Sequence, residues 1–124
     1  EHIWPHYKSD MVYLLGFSMG AMVCYEILCQ MNITFGGVFP IAGFLHDYPQ
    51  RNYQVKEKQL TSPILIGHGK DDDIVPANRA ETIHNILNGQ YANVKLEIFN
   101  GRHKINISYL EKFRLFITNR IIED

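Results

Sequence analysis

The 124 residues set twelve Lys+Arg against thirteen Asp+Glu for a formal net charge of -1, with 46% hydrophobic and 20% charged residues. That balance is that of one ordinary globular domain, and it excludes a disordered chain. Without a long basic run it also argues against nucleic acid as a partner. The nearest approach to a basic patch, Arg51, Lys56 and Lys58, is interrupted by Glu57 and reads as a solvated loop.

Residues 1–10 read as the end of a helix or a loop, and His2, Trp4, His6 and Tyr7 are not candidates for catalysis. Met11 to Leu15 is a short apolar run ending at Gly16, the pattern of a strand buried on both faces. From Met19 to about Gln30 helix formers follow, apolar nearly all round, so this helix is expected to be buried rather than amphipathic. The uncharged stretch from Met11 to Tyr25 contains Gly16 and Gly20 in a G-x-x-x-G, but it is shorter than the ~20 residues a bilayer requires, so no membrane span is expected. Cys24 and Cys29 point to different faces of the helix and are not expected to pair, which favours a reducing, cytoplasmic setting. Asn32-Ile33-Thr34 and Asn106-Ile107-Ser108 fit the glycosylation acceptor pattern and carry little weight.

Phe35 to Ala42 reads as a second strand, with Pro40 counting against a central position. Gly43 to Ser62 has no sustained period and is a long connection of the kind that shapes binding sites. Pro63 to Gly67 is a third buried strand, running into the polar segment His68 to Asp73. Pro76 suits the first turn of a helix over Ala77 to Leu87 with Ala80, Ile83, Ile86 and Leu87 on one face, ended by Asn88-Gly89. Val94 to Phe99 alternates as a strand, Asn100 to Ile105 is a loop, and a last helix places Ile107, Leu110, Phe113, Ile117 and Ile121 at helical spacing. Alternation of strands and helices indicates a mostly parallel sheet of about four strands flanked by helices, an α/β fold.

The sharpest chemical feature is Gly16-Phe17-Ser18-Met19-Gly20, a G-x-S-x-G between a strand and a helix. In that context the serine occupies a strained strand-to-helix turn, where the glycines let backbone and helix approach and the N–H of Met19 points at a developing oxyanion. A serine needs a base and a group to orient that base. Of six histidines only His84 and His103 follow the acidic cluster; His84 lies within a helix, whereas His103 falls in a loop after a strand. The acid is Asp71, Asp72 or Asp73, one carboxylate for the imidazole and two for solvent. The triplet lacks the spaced ligands of a calcium loop, and no metal or organic cofactor is implied.

These residues resemble the C-terminal part of an α/β-hydrolase of the phospholipase/carboxylesterase family, which includes the acyl-protein thioesterases. The resemblance rests on Gly16 to Gly20, on Ile41-Ala42-Gly43-Phe44-Leu45, on Phe99-Asn100-Gly101-Arg102-His103, and most specifically on His68-Gly69-Lys70-Asp71-Asp72-Asp73-Ile74-Val75-Pro76. It implies Asp72 as the acid, His103 as the base and Ser18 as nucleophile in the hydrolysis of carboxylic esters or thioesters, with Phe44 and Leu45 near the acyl site or, equally, in the core. Arg102 and Lys104 flank His103 where relatives often carry small residues; they either bear on its protonation or extend into solvent. The family's sheet begins with strands ahead of the serine, and its second oxyanion donor lies in an early loop. Residues 1–124 are therefore expected to form a partial domain, the C-terminal half of the fold, with an open strand edge. The rival expectation is a non-catalytic or truncated hydrolase-like module. A peptidase or a dienelactone-type hydrolase is a lesser alternative, the latter expected to use Cys where Ser18 stands.

Overall fold

The computed structural model describes residues 2–4, 7–45 and 52–123, with side chains described from residue 7 to 119. His6, Arg51 and the side chains of His2, Trp4 and Ile121 therefore lie outside it.

Residues 2–11 are neither helix end nor plain loop. Two short antiparallel strands, β1 (His2–Trp4) and β2 (Tyr7–Lys8), are followed by a 3-10 turn at Ser9–Met11. The main sheet has four parallel strands: β3 (Tyr13–Phe17), β4 (Gly37–Ile41), β5 (Ile64–Gly69) and β6 (Val94–Phe99), in spatial order β3-β4-β5-β6. Helix α1 (Met19–Gln30) joins β3 to β4, α2 (Asn78–Gly89) joins β5 to β6, and α3 (Ile107–Glu123) follows β6.

Parallel strands that step in one direction with right-handed crossovers put every connection on the same face. Accordingly α1, α2 and the β4–β5 connection all bury one side of the sheet, where Ala21, Tyr25, Leu28, Tyr53, Val55, Ile66, Ile83 and Leu87 form the larger core. The opposite side packs on α3 through Phe39, Ile41, Phe99 and Tyr109, with Phe113 and Phe116 against them. The inward face of α3 thus runs through Tyr109, Phe113 and Phe116, while Ile107 and Leu110, expected on it, are exposed.

Two expectations about burial change. Helix α1 buries only Ala21, Cys24, Tyr25 and Leu28, leaving Val23 and Met19 in solvent. Strand β3 is not covered on both faces either. Leu15 is exposed, and among the described residues β3 pairs with β4 alone.

Pro40 sits in a central strand after all, and the structure shows how. Val38 N–H donates to Pro63 O and Ala42 N–H to Gly67 O, so position 40 faces the carbonyl of Leu65 and has no N–H to give it. The Tyr109 hydroxyl fills that place, donating to Leu65 O at 2.5 Å from a ring laid against Gly67. Burial holds the Tyr109 phenol well above its ordinary range, so it remains a donor.

Candidate active site

Ser18 joins β3 to α1 with φ 58° and ψ −110°, a conformation that a residue with a side chain adopts only under constraint. Three bonds hold it there: Ser18 N–H donates to Ile41 O at 2.8 Å, and Ser18 O accepts the N–H groups of Ala21 and Met22. Gly16 makes the turn sterically possible, since a Cβ there would stand 2.3 Å from the carbonyl oxygen of Gly20. Gly20 itself is different. A Cβ on it would meet nothing within 4 Å, so only the first glycine of the motif is required for close approach.

Two further loops meet Ser18 at the carboxyl edge of the sheet. Strand β5 runs beyond its expected end through His68 to Gly69, and the 70–76 loop then turns Asp72 inward while Asp71 and Asp73 face solvent. The loop after β6 carries His103. The two loops are joined by Lys70 N–H to Phe99 O at 2.8 Å and Asp71 N–H to Gly101 O at 2.9 Å. They touch so closely at Gly69 that a Cβ there would lie 2.2 Å from Arg102 O.

Within this frame His103 Nδ1 lies 2.8 Å from Asp72 Oδ2, and His103 Nε2 lies 3.1 Å from Ser18 Oγ. A carboxylate only accepts, so Nδ1 donates to Asp72, and in the neutral ring Nε2 is the nitrogen that accepts from the Ser18 hydroxyl. Asp72 Oδ1 accepts the N–H groups of Ile74 and Val75, each at 2.8 Å. Burial pushes the Asp72 carboxyl up. Hydrogen bonds from Val75, His103 and Ile74 outweigh it and hold the group below its ordinary range, as a charged acceptor.

The structure therefore brings Ser18, Asp72 and His103 together and leaves His84 on α2. Met19 opens α1, where a first-turn N–H has no acceptor within the helix. Phe44 and Leu45 follow β4 and are half-buried: Arg79 stands 5.5 Å above the Phe44 ring, and Leu45 packs on the larger core. Arg102 stands 3.9 Å from Asp73, with both groups largely exposed. Sequence reasoning missed Phe17, whose ring centroid lies 4.9 Å from that of His103, and assigned no role to the fully buried His68. The first had a positional signal, as the residue directly before the serine. Among the described residues no cluster of three His, Cys, Asp or Glu is arranged to hold a metal ion.

The sequence profile of the phospholipase/carboxylesterase family matches residues 4–121. The chain belongs to the phospholipase/carboxylesterase family. Within this family of hydrolases it is 26% identical over 120 residues to acyl-protein thioesterase 1 of Eremothecium gossypii, covering 94% of this chain and 51% of that protein. Its fold superimposes on SOBER1 of Arabidopsis thaliana with a TM-score of 0.83 at 21% identity, over 94% of this chain and 56% of the other. A carboxylesterase of Bacillus cereus aligns with a TM-score of 0.75 at 19% identity, over 91% and 51%. The α/β-hydrolase fold is thus shared, and the chain spans about half the length of the relatives it matches. Among the described residues no helix is long and apolar enough to cross a membrane.

Proposed function

We propose that the chain carries the Ser-His-Asp machinery of a hydrolase that cleaves carboxylic esters or thioesters through an acyl-enzyme. The observation that carries this reading is the unbroken hydrogen-bond line from Ser18 through His103 to Asp72, mounted on a strained turn. His103 Nε2 takes the Ser18 proton as Oγ bonds to the substrate carbonyl carbon, and the Met19 N–H meets the negative charge that forms on the carbonyl oxygen. Collapse of the tetrahedral intermediate breaks the bond to the leaving alcohol or thiol, which receives the proton from His103. Water then repeats the sequence, releasing the carboxylic acid and restoring Ser18. Asp72 holds the imidazole in the required tautomer and stabilises its cation.

The thioesterase relative favours acylated proteins as substrates, with Phe44 and Leu45 flanking an acyl chain. Its coverage of about half, and the edge of β3 that is unpaired among the described residues, favour residues 1–124 as one part of a hydrolase domain whose second oxyanion donor lies elsewhere. The free thiols of Cys24 and Cys29 fit a reducing, cytoplasmic compartment.

A fluorophosphonate probe tests the reading, because it phosphonylates only an activated serine. Labelling of the wild-type protein that disappears in Ser18→Ala is the expected result. Labelling that survives the substitution refutes the assignment, and no labelling of the wild type favours a non-catalytic hydrolase-like module.

A further inference from the structure

We propose that His68 is a positioning residue, which fixes the Asp72 carboxylate by clamping the far end of its loop to strand β5. The side chain is wholly buried. Its Nε2 lies 2.7 Å from Val75 O, and a carbonyl oxygen only accepts, so the proton is on Nε2. The same nitrogen stands 3.4 Å from Asp72 Oδ2, while its hydrogen bond is made to Val75 O. Among the described residues Nδ1 has no hydrogen-bond partner.

A buried polar atom without a partner destabilises the fold, because it has given up water for nothing. An apolar side chain of similar size would fill the space without that cost, so the imidazole is there for its other nitrogen. What Nε2 holds is a closed ring of contacts. Val75 gives its N–H to Asp72 Oδ1 and receives the His68 N–H on its carbonyl, so one residue is gripped from both sides. Asp72 thus has Oδ1 fixed by the loop backbone and Oδ2 directed at His103, with His68 tying that loop back to the sheet. Without the His68 donor, Val75 loses its tether to β5. The carboxylate is then free to swing with the Val75 N–H, and the imidazole of His103 loses its fixed orientation.

This inference rests on the proposed Ser18–His103–Asp72 reading for its functional meaning, while the clamp itself is observable without catalysis. Proton NMR of the full chain detects the Nδ1–H of His103 as a resonance downfield of the amide region, assigned by its loss in Asp72→Asn. The resonance should persist in His68→Gln, whose amide N–H reaches the same acceptor, and vanish or broaden in His68→Leu while the amide spectrum stays folded. The fluorophosphonate labelling rate should fall roughly 100-fold in His68→Leu and largely recover in His68→Gln. A folded His68→Leu that keeps the resonance and labels at the wild-type rate overturns the proposal. Should His68→Leu not fold, a folded His68→Gln that lacks the resonance overturns it equally. Labelling that survives Ser18→Ala removes the serine-hydrolase reading instead, and the resonance still decides whether His68 holds Asp72.

Discussion

Tyr109→Phe removes a single oxygen, and the structure says what that oxygen does. It donates to Leu65 O, the carbonyl that Pro40 leaves without a ladder partner between two strands of the sheet. Phenylalanine keeps the ring against Gly67 and leaves the carbonyl without that partner in a part-buried site. The expected cost is about 1–3 kcal/mol, the penalty for removing one partner of a buried bond. Near the melting midpoint, 1 kcal/mol shifts Tm by roughly 4 °C in a chain of this size. Urea denaturation of the wild type, Tyr109→Phe, Pro40→Ala and the double variant completes a thermodynamic cycle. Pro40→Ala supplies an N–H aimed at the same carbonyl, so loss of the hydroxyl should cost about 1 kcal/mol less in that background. The effect of Pro40→Ala on the unfolded chain is common to both sides of the cycle and cancels. If Tyr109→Phe is as stable as the wild type, or costs the same with and without Pro40, the proposed substitution of hydroxyl for amide is wrong.

The two glycines of the serine turn should behave oppositely. Gly16→Ala drives a Cβ into the Gly20 carbonyl and should destabilise the fold by about 1–3 kcal/mol and abolish probe labelling. Gly20→Ala meets open space within α1, so it should label normally and gain up to about 1 kcal/mol in a urea melt. The depressed Asp72 carboxyl gives a signed pH effect. Its stabilisation is complete above the unfolded value of about 3.9 and is lost as pH falls through the lower folded value. Urea midpoints of wild type and Asp72→Asn should therefore differ at pH 7 and converge on acidification below about pH 4; a constant gap would contradict the hydrogen bonds assigned to the carboxylate.

The order of strands and helices from β3 onward was legible because each element there carries its own local pattern, whereas the short strands β1 and β2 carry none. The serine turn was equally plain, since Gly16 and Ser18 meet a requirement local to one turn. Choosing among Asp71, Asp72 and Asp73 by residue type was impossible. The choice depends on which carboxylate the Ile74 and Val75 N–H groups capture, a property of the folded loop. The rotation of α3 was misread for a related reason. Aliphatic spacing favoured Ile107 and Leu110, whereas Tyr109 is drawn inward by a carbonyl left open on β5 by a proline in β4. Helix α1 and strand β3 are apolar beyond what the described residues cover, and hydrophobicity alone gives no sign of which face meets a partner. His68 was visible in its motif, but its use lies in a contact with Val75 seven residues on that only the turned loop creates.

The bonds from Lys70 to Phe99 and from Asp71 to Gly101 continue the β5–β6 ladder beyond both strands, so Asp72 and His103 ride on one ribbon. Ser18 stands apart on the outermost described strand, reached from that ribbon across β4. The site is therefore built on two supports, an acid–base pair carried on one ribbon and a nucleophile tied to β4 by the bond from Ser18 N–H to Ile41 O. A ligand bonded to Ser18 and His103 together would bridge these two supports.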